Sequence, residues 1–371
     1  MSLSVSCDTG PILSAVASRP KIVAHLDLDA FFAAVEELER PELARVPLVV
    51  GGDPHGRGVV ATANYHARKY GIHSAMSCAE ARRRCPHAVF VRPRHRTYAE
   101  YSRAVWTTVR EVVPGVERTG MDEGYLDLGE VSPEFRRARA LAEAVQVAVE
   151  GATSLSCSLG VGTTKVVAKV ASDRRKPGGI TVVPPGHEAS FLAPFPVRVL
   201  PGIGPRSEER LRSAGIELIG GLAAVTDDEL KRILPGKVGR LLRDRANGVD
   251  PRRLERTAPE NISISNEETF PRDVGNREQL HAEVRRMAAN LADHLAKEGK
   301  VARTVTAKLR YPDFSIRSRS TPLEIGSADG EQIGDIACSL LDRGLRDRPG
   351  ALRLVGVTVS NLETYEQLSL A

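Results

Sequence analysis

The chain has 371 residues, 42% of them hydrophobic and 27% charged, enough to bury sizeable cores and outside the range of disordered chains. Its net charge of +5 suits a polyanionic partner without requiring one. No apolar run reaches the roughly 18 residues of a membrane span, and the five cysteines show neither a disulfide framework nor zinc-ligand spacing, so the expectation is a cytoplasmic protein away from membranes.

Residues 1–20 lack the basic start and apolar block of a signal peptide and read as an N-terminal tail. Residues 22–29 form an apolar strand that feeds a helix with 3.6-residue spacing up to Pro41. Strands at 47–50 and 58–62 follow, then short helices at 65–70 and 78–85. A longer helix at 98–113, a strand at 124–128, a helix at 133–151 and a strand at 155–161 complete a mixed α/β unit of about 180 residues. Proline-punctuated short helices then run to Gly248 as a small helical domain. Residues 251–265 lack a helical period and read as an extended linker. Beyond it, alternating strands and helices predict a layered α+β domain.

Three groups of residues carry chemistry. Asp27 and Asp29 lie at i and i+2, which on a strand puts both carboxylates on one face. Their repulsion is relieved by a hard divalent cation, with the Leu28 carbonyl as a further oxygen ligand. A second acidic pair, Asp122 and Glu123, precedes the strand at 124–128, and both reach one site only through a tight turn or bulge. Together the two clusters fit two Mg²⁺ ions supporting in-line phosphoryl transfer. Thr62, Tyr65 and Arg68 recur at intervals of three, one helical face if the helix begins near Asn64, and Lys176 offers a point charge for a triphosphate.

Leu200-Pro-Gly-Ile-Gly-Pro205 fits a helix–hairpin–helix turn, in which Gly202, Ile203 and Gly204 present backbone N–H groups to a phosphate without reading sequence. Gly236, Lys237 and Gly239 read as a degenerate second copy. From 297 to 320, seven basic residues, among them Arg303, Lys308, Arg310, Arg317 and Arg319, stand against two acidic ones, and period-two patterning predicts a strand face that shows cations.

The stretches 27–36, 61–71, 121–127, 176–180 and 201–204, in this order and spacing, resemble the Y-family DNA polymerases of the DinB-like branch from about 22 to 360. The resemblance implies a right-hand polymerase, α/β and α+β in class. Its palm would lie at 21–30 and 93–183, fingers at 31–92, a helix–hairpin–helix thumb at 184–250, and an α+β little finger at 266–362. It implies Asp27, Asp122, Glu123 and the Leu28 carbonyl as Mg²⁺ ligands, with Mn²⁺ a possible substitute; Asp29 is a weaker candidate. Thr62, Tyr65, Arg68 and Lys176 would hold the incoming dNTP, and Phe32 would be a steric gate against the ribose 2′-hydroxyl.

Small residues at Val59, Val60 and Ala61 imply weak checking of the nascent base pair, hence low-fidelity translesion synthesis on primer–template DNA by a monomer. The family usually has Ser-(Ile/Val)-Asp-Glu-Ala where this chain has Gly120-Met-Asp-Glu-Gly124, which predicts a looser turn. Gln367, Leu368, Ser369 and Leu370 resemble a β sliding clamp-binding peptide, with Ala371 where a phenylalanine is usual. A non-catalytic helix–hairpin–helix DNA-binding protein is the alternative, and a palm-fold nucleotidyl cyclase would need neither the hairpin nor the basic domain. No segment resembles a proofreading exonuclease.

Overall fold

The structure is a computed structural model that describes residues 21–257 and 260–364; residues 1–20 and 365–371, and with them the N-terminal tail and the clamp-like peptide, lie outside the described residues. In chain order it begins with β1 (Val23–Leu28), α1 (Phe31–Glu39), β2 (Leu48–Gly51), β3 (Val60–Ala63), α2 (Tyr65–Arg68), α3 (Cys78–Arg84) and β4 (Val89–Val91). There follow α4 (His95–Val112), β5 (Val116–Arg118), β6 (Glu123–Asp127), α5 (Leu128–Val131), α6 (Ala138–Thr153), β7 (Cys157–Gly162), α7 (Lys165–Ser172) and β8 (Ile180–Val182). The short helices are α8 (Glu188–Leu192), α9 (Pro205–Ser213), α10 (Ile219–Ala223), α11 (Asp227–Ile233) and α12 (Lys237–Ala246). The chain closes with β9 (Ser263–Val274), α13 (Arg277–Glu298), β10 (Lys300–Arg310), β11 (Ile316–Ser327), α14 (Gly330–Asp347) and β12 (Leu352–Thr364).

Two compact units emerge, one built from residues up to 46 and from 94 to 257, the other from 47–93 and 260–364. In the first, a five-stranded sheet has the order β5-β6-β1-β7-β8. Its central strand β1 pairs antiparallel with β6 and β7. Alternation sends Ala24, Leu26 and Leu28 into a dry core and His25 and Asp27 to the opposite face. Helix α7 lies on that second face, so closely that a Cβ at Gly160, the residue opposite His25, would fall 2.1 Å from the Ala168 carbonyl oxygen. Val166, Val167 and Val170 of α7 also join the core of the short helices, with Leu200, Leu211, Leu222, Leu230 and Leu242.

The second unit holds a three-stranded sheet, β3-β2-β4, and a four-stranded antiparallel sheet, β11-β10-β12-β9. One face of the larger sheet, with Val305, Ala307, Leu309, Val355 and Val357, packs on Leu280, Val284, Met287, Leu291 and Leu295 of α13 and on Ile333, Ala337 and Leu341 of α14. The apolar spacing of α13, its Asn276 cap and the stop at Gly299 (φ +63°) define that helix. The linker expected at 251–265 ends earlier, because residues 263–265 already pair with β12. Among the described residues, no helix is long and apolar enough to cross a membrane, and the four described cysteines are buried and free.

Candidate active site

Strand register brings the acidic residues together. Asp27 lies directly opposite Glu123 on β6 and Ser158 on β7, and side chains opposite one another in an antiparallel pair share a face about 5 Å apart. Asp122 immediately precedes β6 and its carbonyl accepts from the Leu28 N–H at 2.9 Å. Asp29 keeps the face expected for it: its N–H donates to the Ser156 carbonyl at 3.0 Å, continuing the β1–β7 pairing in which Asp27 lies opposite Ser158. β1 ends at Leu28, and the Asp29 carboxylate turns inward, 4% exposed, accepting from Ser156 Oγ (2.7 Å), Ser158 Oγ (2.8 Å) and the Gly178 N–H (2.8 Å). It anchors the loop that carries Lys176, its oxygens already met by these donors, while Asp27 faces Glu123 across the β1–β6 pair.

The turn at Gly120–Gly124, expected to be loose, is held by several hydrogen bonds. The Met121 carbonyl accepts from Trp106 Nε1 at 3.0 Å and from the Ser102 hydroxyl, and the Glu123 carbonyl accepts from the N–H groups of Thr119 and Gly120. Gly124 has a packing reason: a Cβ there would sit 2.6 Å from Trp106 Cη2.

Helix α7 and the following loop deliver cations to these acids. Lys176 Nζ lies 2.7 Å from Asp27 Oδ1 and 2.8 Å from Asp173, and Lys169 Nζ lies 2.6 Å from Glu123 Oε2. Buried His25 bonds Ser172 Oγ through Nδ1 at 2.9 Å and places Nε2 3.5 Å from Glu123 Oε2. The consequences differ between the three carboxyls. The His25 contact, with Lys169 against the cost of burial, holds Glu123 down at about 2. Burial pushes Asp27 up despite Lys176, and burial together with the neighbouring Glu123 charge pushes Asp122 up. Burial holds His25 below its ordinary value.

At Asp27 and Asp122 burial thus outweighs the nearby lysines and disfavours the charged form, whereas Glu123 is held charged. Among the described residues, no three His, Cys, Asp or Glu side chains close around one point at metal-ligating distance. The donor set, hard carboxylate oxygens gathered where β1 ends and β6 begins, nevertheless fits a hard divalent cation. Lys169 and His25 were missed from sequence; each is chemically ordinary and acquires meaning only from the register.

Phe32, in the first turn of α1, is half-buried and stacks on Tyr98 of α4 with centroids 4.2 Å apart and planes at 15°. In the other unit, the helical face expected for Thr62, Tyr65 and Arg68 is not formed. Thr62 belongs to β3, Asn64 caps α2 by accepting from the Ala67 N–H at 2.9 Å, and α2 is a single turn. Tyr65 and Arg68 do meet, the guanidinium lying 4.8 Å from the ring centroid while Nε donates to the Ala63 carbonyl. Val59 and Ala61 are exposed, whereas Val60 points into the core and cannot face a base pair.

Both hairpin turns exist, in different helical settings. Gly202 (φ +102°) and Gly236 (φ +82°) take left-handed conformations that favour glycine. The second turn lies between two helices, α11 and α12, while the first is preceded only by a three-residue helical turn, Val197–Val199. Arg245 Nη1 ties the two turns by donating to the Pro201 carbonyl at 2.8 Å. Gly239 is buried, and a Cβ there would sit 2.3 Å from the Leu234 carbonyl oxygen; it is a packing position and drops out as a phosphate contact.

The single cationic strand face is corrected too. Lys308 and Arg310 lie opposite Ser318 and Ile316 on the face away from the helices. Arg317 and Arg319 lie opposite Leu309 and Ala307, on the helix side, where Arg319 pairs with Asp347 of α14 at 2.8 Å. Lys308 bridges to Glu267 across Gly356 at 2.7 Å, and Arg303 pairs with Glu363 at 2.7 Å.

The chain matches the impB/mucB/samB family over residues 26–173, that family's C-terminal domain over 261–370, and its helix–hairpin–helix motif over 185–216. It is 39% identical over 339 residues to a DNA polymerase IV of Dehalococcoides mccartyi strain CBDB1, covering 91% of this chain and 86% of that one. The chain belongs to the Y-family DNA polymerases. A DNA polymerase IV of Streptomyces coelicolor is 39% identical over 351 residues, covering 94% and 72% of the two chains. Among solved structures, a Y-family chimera of Dbh and Dpo4 matches with TM-score 0.83 at 26% identity, over 92% of this chain and 99% of that one. DinB from Sulfolobus solfataricus matches with TM-score 0.63 at 26% identity, over 92% and 99%. The architecture is therefore the Y-family one of palm, fingers, helical thumb and α+β little finger.

Proposed function

We propose that this Y-family member is a template-directed DNA polymerase that transfers a dNTP to a primer 3′-OH at the β1–β6 edge, with the low fidelity that suits translesion synthesis. The observation that carries the reading is the register pairing of Asp27 with Glu123 beside Asp122, three acids gathered where β1 ends and β6 begins, two of them raised by burial. In the reaction the primer 3′-oxygen bonds to the α-phosphorus, the bond to the β-phosphate breaks, and pyrophosphate leaves. Asp27, Asp122, Glu123 and the Leu28 carbonyl would hold two Mg²⁺ ions, or Mn²⁺ in their place. When bound, these supply charge neutralisation at the attacking and leaving oxygens.

Lys176 exchanges its pairing with Asp27 for the triphosphate, assisted by Thr62, Tyr65 and Arg68. Phe32 bars a 2′-hydroxyl, and exposed Val59 and Ala61 leave the base pair loosely checked. The turns at Gly202–Gly204 and Gly236–Lys237 grip backbone phosphates, and Lys308 and Arg310 lie along the duplex. The family architecture supports domain limits of 21–30 and 93–183 for the palm, 31–92 for the fingers, 184–250 for the thumb and 266–362 for the little finger. The segment 367–370 would dock a monomeric enzyme on a β sliding clamp in the cytoplasm. The intact acids and the named relatives leave the non-catalytic alternative unsupported. The test is extension of a primed template with each dNTP and Mg²⁺, beside an Asp122→Ala, Glu123→Ala variant. Extension by wild type, lost in the variant, supports the assignment, and DNA binding without extension by wild type overturns it.

A further inference from the structure

Glu36 is the least expected residue in the first unit. It sits one helical turn after Phe32 on α1, carries a carboxylate and is 0% exposed. Residues at i and i+4 share a helix face, and this face packs on α4. Arg94 clamps the carboxylate in bidentate fashion, Nε to Oε1 and Nη2 to Oε2, both at 2.9 Å. Arg40 adds an ion pair to Oε2 from the same helix, and the Tyr98 hydroxyl donates to Oε1 at 2.6 Å. These donors outweigh the cost of burial and hold the carboxyl below its ordinary range. A buried ion pair is poor evidence for stability, because apolar residues of the same volume often do as well, whereas fixing geometry is its better-attested use.

The geometry fixed here is that of Tyr98. Its ring is fully buried and stacked on Phe32, so tilting or sliding it would disturb that packing and strand the hydroxyl. With the hydroxyl pinned to Glu36, the ring lies flat beneath Phe32 at 4.2 Å, and His95 meets the Phe32 ring edge-on at 5.9 Å. A steric filter discriminates only as well as its backing resists displacement, because a ring that slides by a fraction of an ångström admits a hydroxyl.

We propose that Glu36 is a positioning residue for sugar discrimination: clamped by Arg94 and Arg40, it locks the Tyr98 ring as a rigid backing that keeps Phe32 from yielding to a ribose 2′-hydroxyl. The inference rests on the assignment of Phe32 as the gate and adds the residues that make the gate stiff.

The experiment measures kcat/KM for insertion of a deoxynucleotide and the matching ribonucleotide opposite one template base. It compares wild type, Phe32→Ala, Tyr98→Phe, Glu36→Met, Glu36→Gln and the Phe32→Ala, Glu36→Met double variant. Tyr98→Phe keeps the ring and loses only the hydroxyl, so it reports on the anchor even if Glu36→Met fails to fold. The expected result is a fall in discrimination of about fivefold to tenfold in Tyr98→Phe and Glu36→Met, arising from faster ribonucleotide insertion. Glu36→Gln, which keeps an acceptor for the hydroxyl, should retain most of the discrimination, and the double variant should discriminate no worse than Phe32→Ala alone. Unchanged discrimination in Tyr98→Phe, or equal losses for both sugars in the folded Glu36 variants, overturns the proposal while a Phe32→Ala effect leaves the gate standing. If Phe32→Ala itself has no effect, the gate assignment fails and this inference with it.

Discussion

Asp27 and Asp29 are two residues apart, and the fold treats them in opposite ways. Asp29 is buried with two hydroxyls and a backbone N–H on its oxygens; Asp27 faces a second carboxylate and is pushed above its ordinary range in spite of Lys176. Glu36 and Asp122 repeat the contrast: donors outweigh burial at the first and lower it, while burial and the Glu123 charge raise the second. A carboxylate whose charge is met by its own fold is part of the scaffold. One whose charged form burial disfavours is poised for a cation the fold does not supply.

The contrast breaks first at the acids themselves. Asp27→Asn should reduce nucleotide insertion by about a thousandfold without lowering the melting temperature, while Asp29→Asn should cost about 1–3 kcal/mol of stability by upsetting a satisfied buried site. Thermal melts beside insertion kinetics separate the two, and equal stability losses would erase the distinction. Acid titration sharpens it. Glu36 has a depressed folded pKa, so its contribution is present above its unfolded value of about 4.5 and is lost as pH falls through the folded one. Asp122 has a raised pKa, so its contribution is present at low pH and is lost as pH rises through the folded value. Melting curves from pH 3 to 7 should therefore show Glu36→Gln losing most, relative to wild type, at neutral pH, and Asp122→Asn gaining there. The smallest effect is expected in the little finger. Replacing Lys308 and Arg310 with alanine should reduce the salt dependence of DNA affinity by about 2 in log–log slope, and Arg319→Ala on the helix side should leave it unchanged.

Much of this was legible in the sequence, and the limits are physical. The acidic motifs, the glycine turns and the layered C-terminal domain follow from local spacing. Which acid lies opposite Asp27 depends on register, a long-range choice, so spacing alone puts Asp29 on its face but cannot place Glu123 across from it. A three-residue interval in Thr62, Tyr65 and Arg68 suggests a helix, but Asn64 capping the backbone places Thr62 on a strand. Arg317 and Arg319 looked continuous with Lys308, yet the hairpin turn at 311–315 reverses the chain and carries them to the other face. Glu36 and Tyr98 had only a faint signal, an acid on the apolar face of a helix one turn from Phe32.

The most direct measurement is single-turnover insertion of a dNTP on primed DNA against Mg²⁺ concentration, for wild type and the Asp122→Ala, Glu123→Ala variant. The account predicts saturable Mg²⁺ dependence in wild type and a loss of about a thousandfold or more in the variant. Insertion that persists in the variant, or that proceeds without a divalent cation, would contradict it.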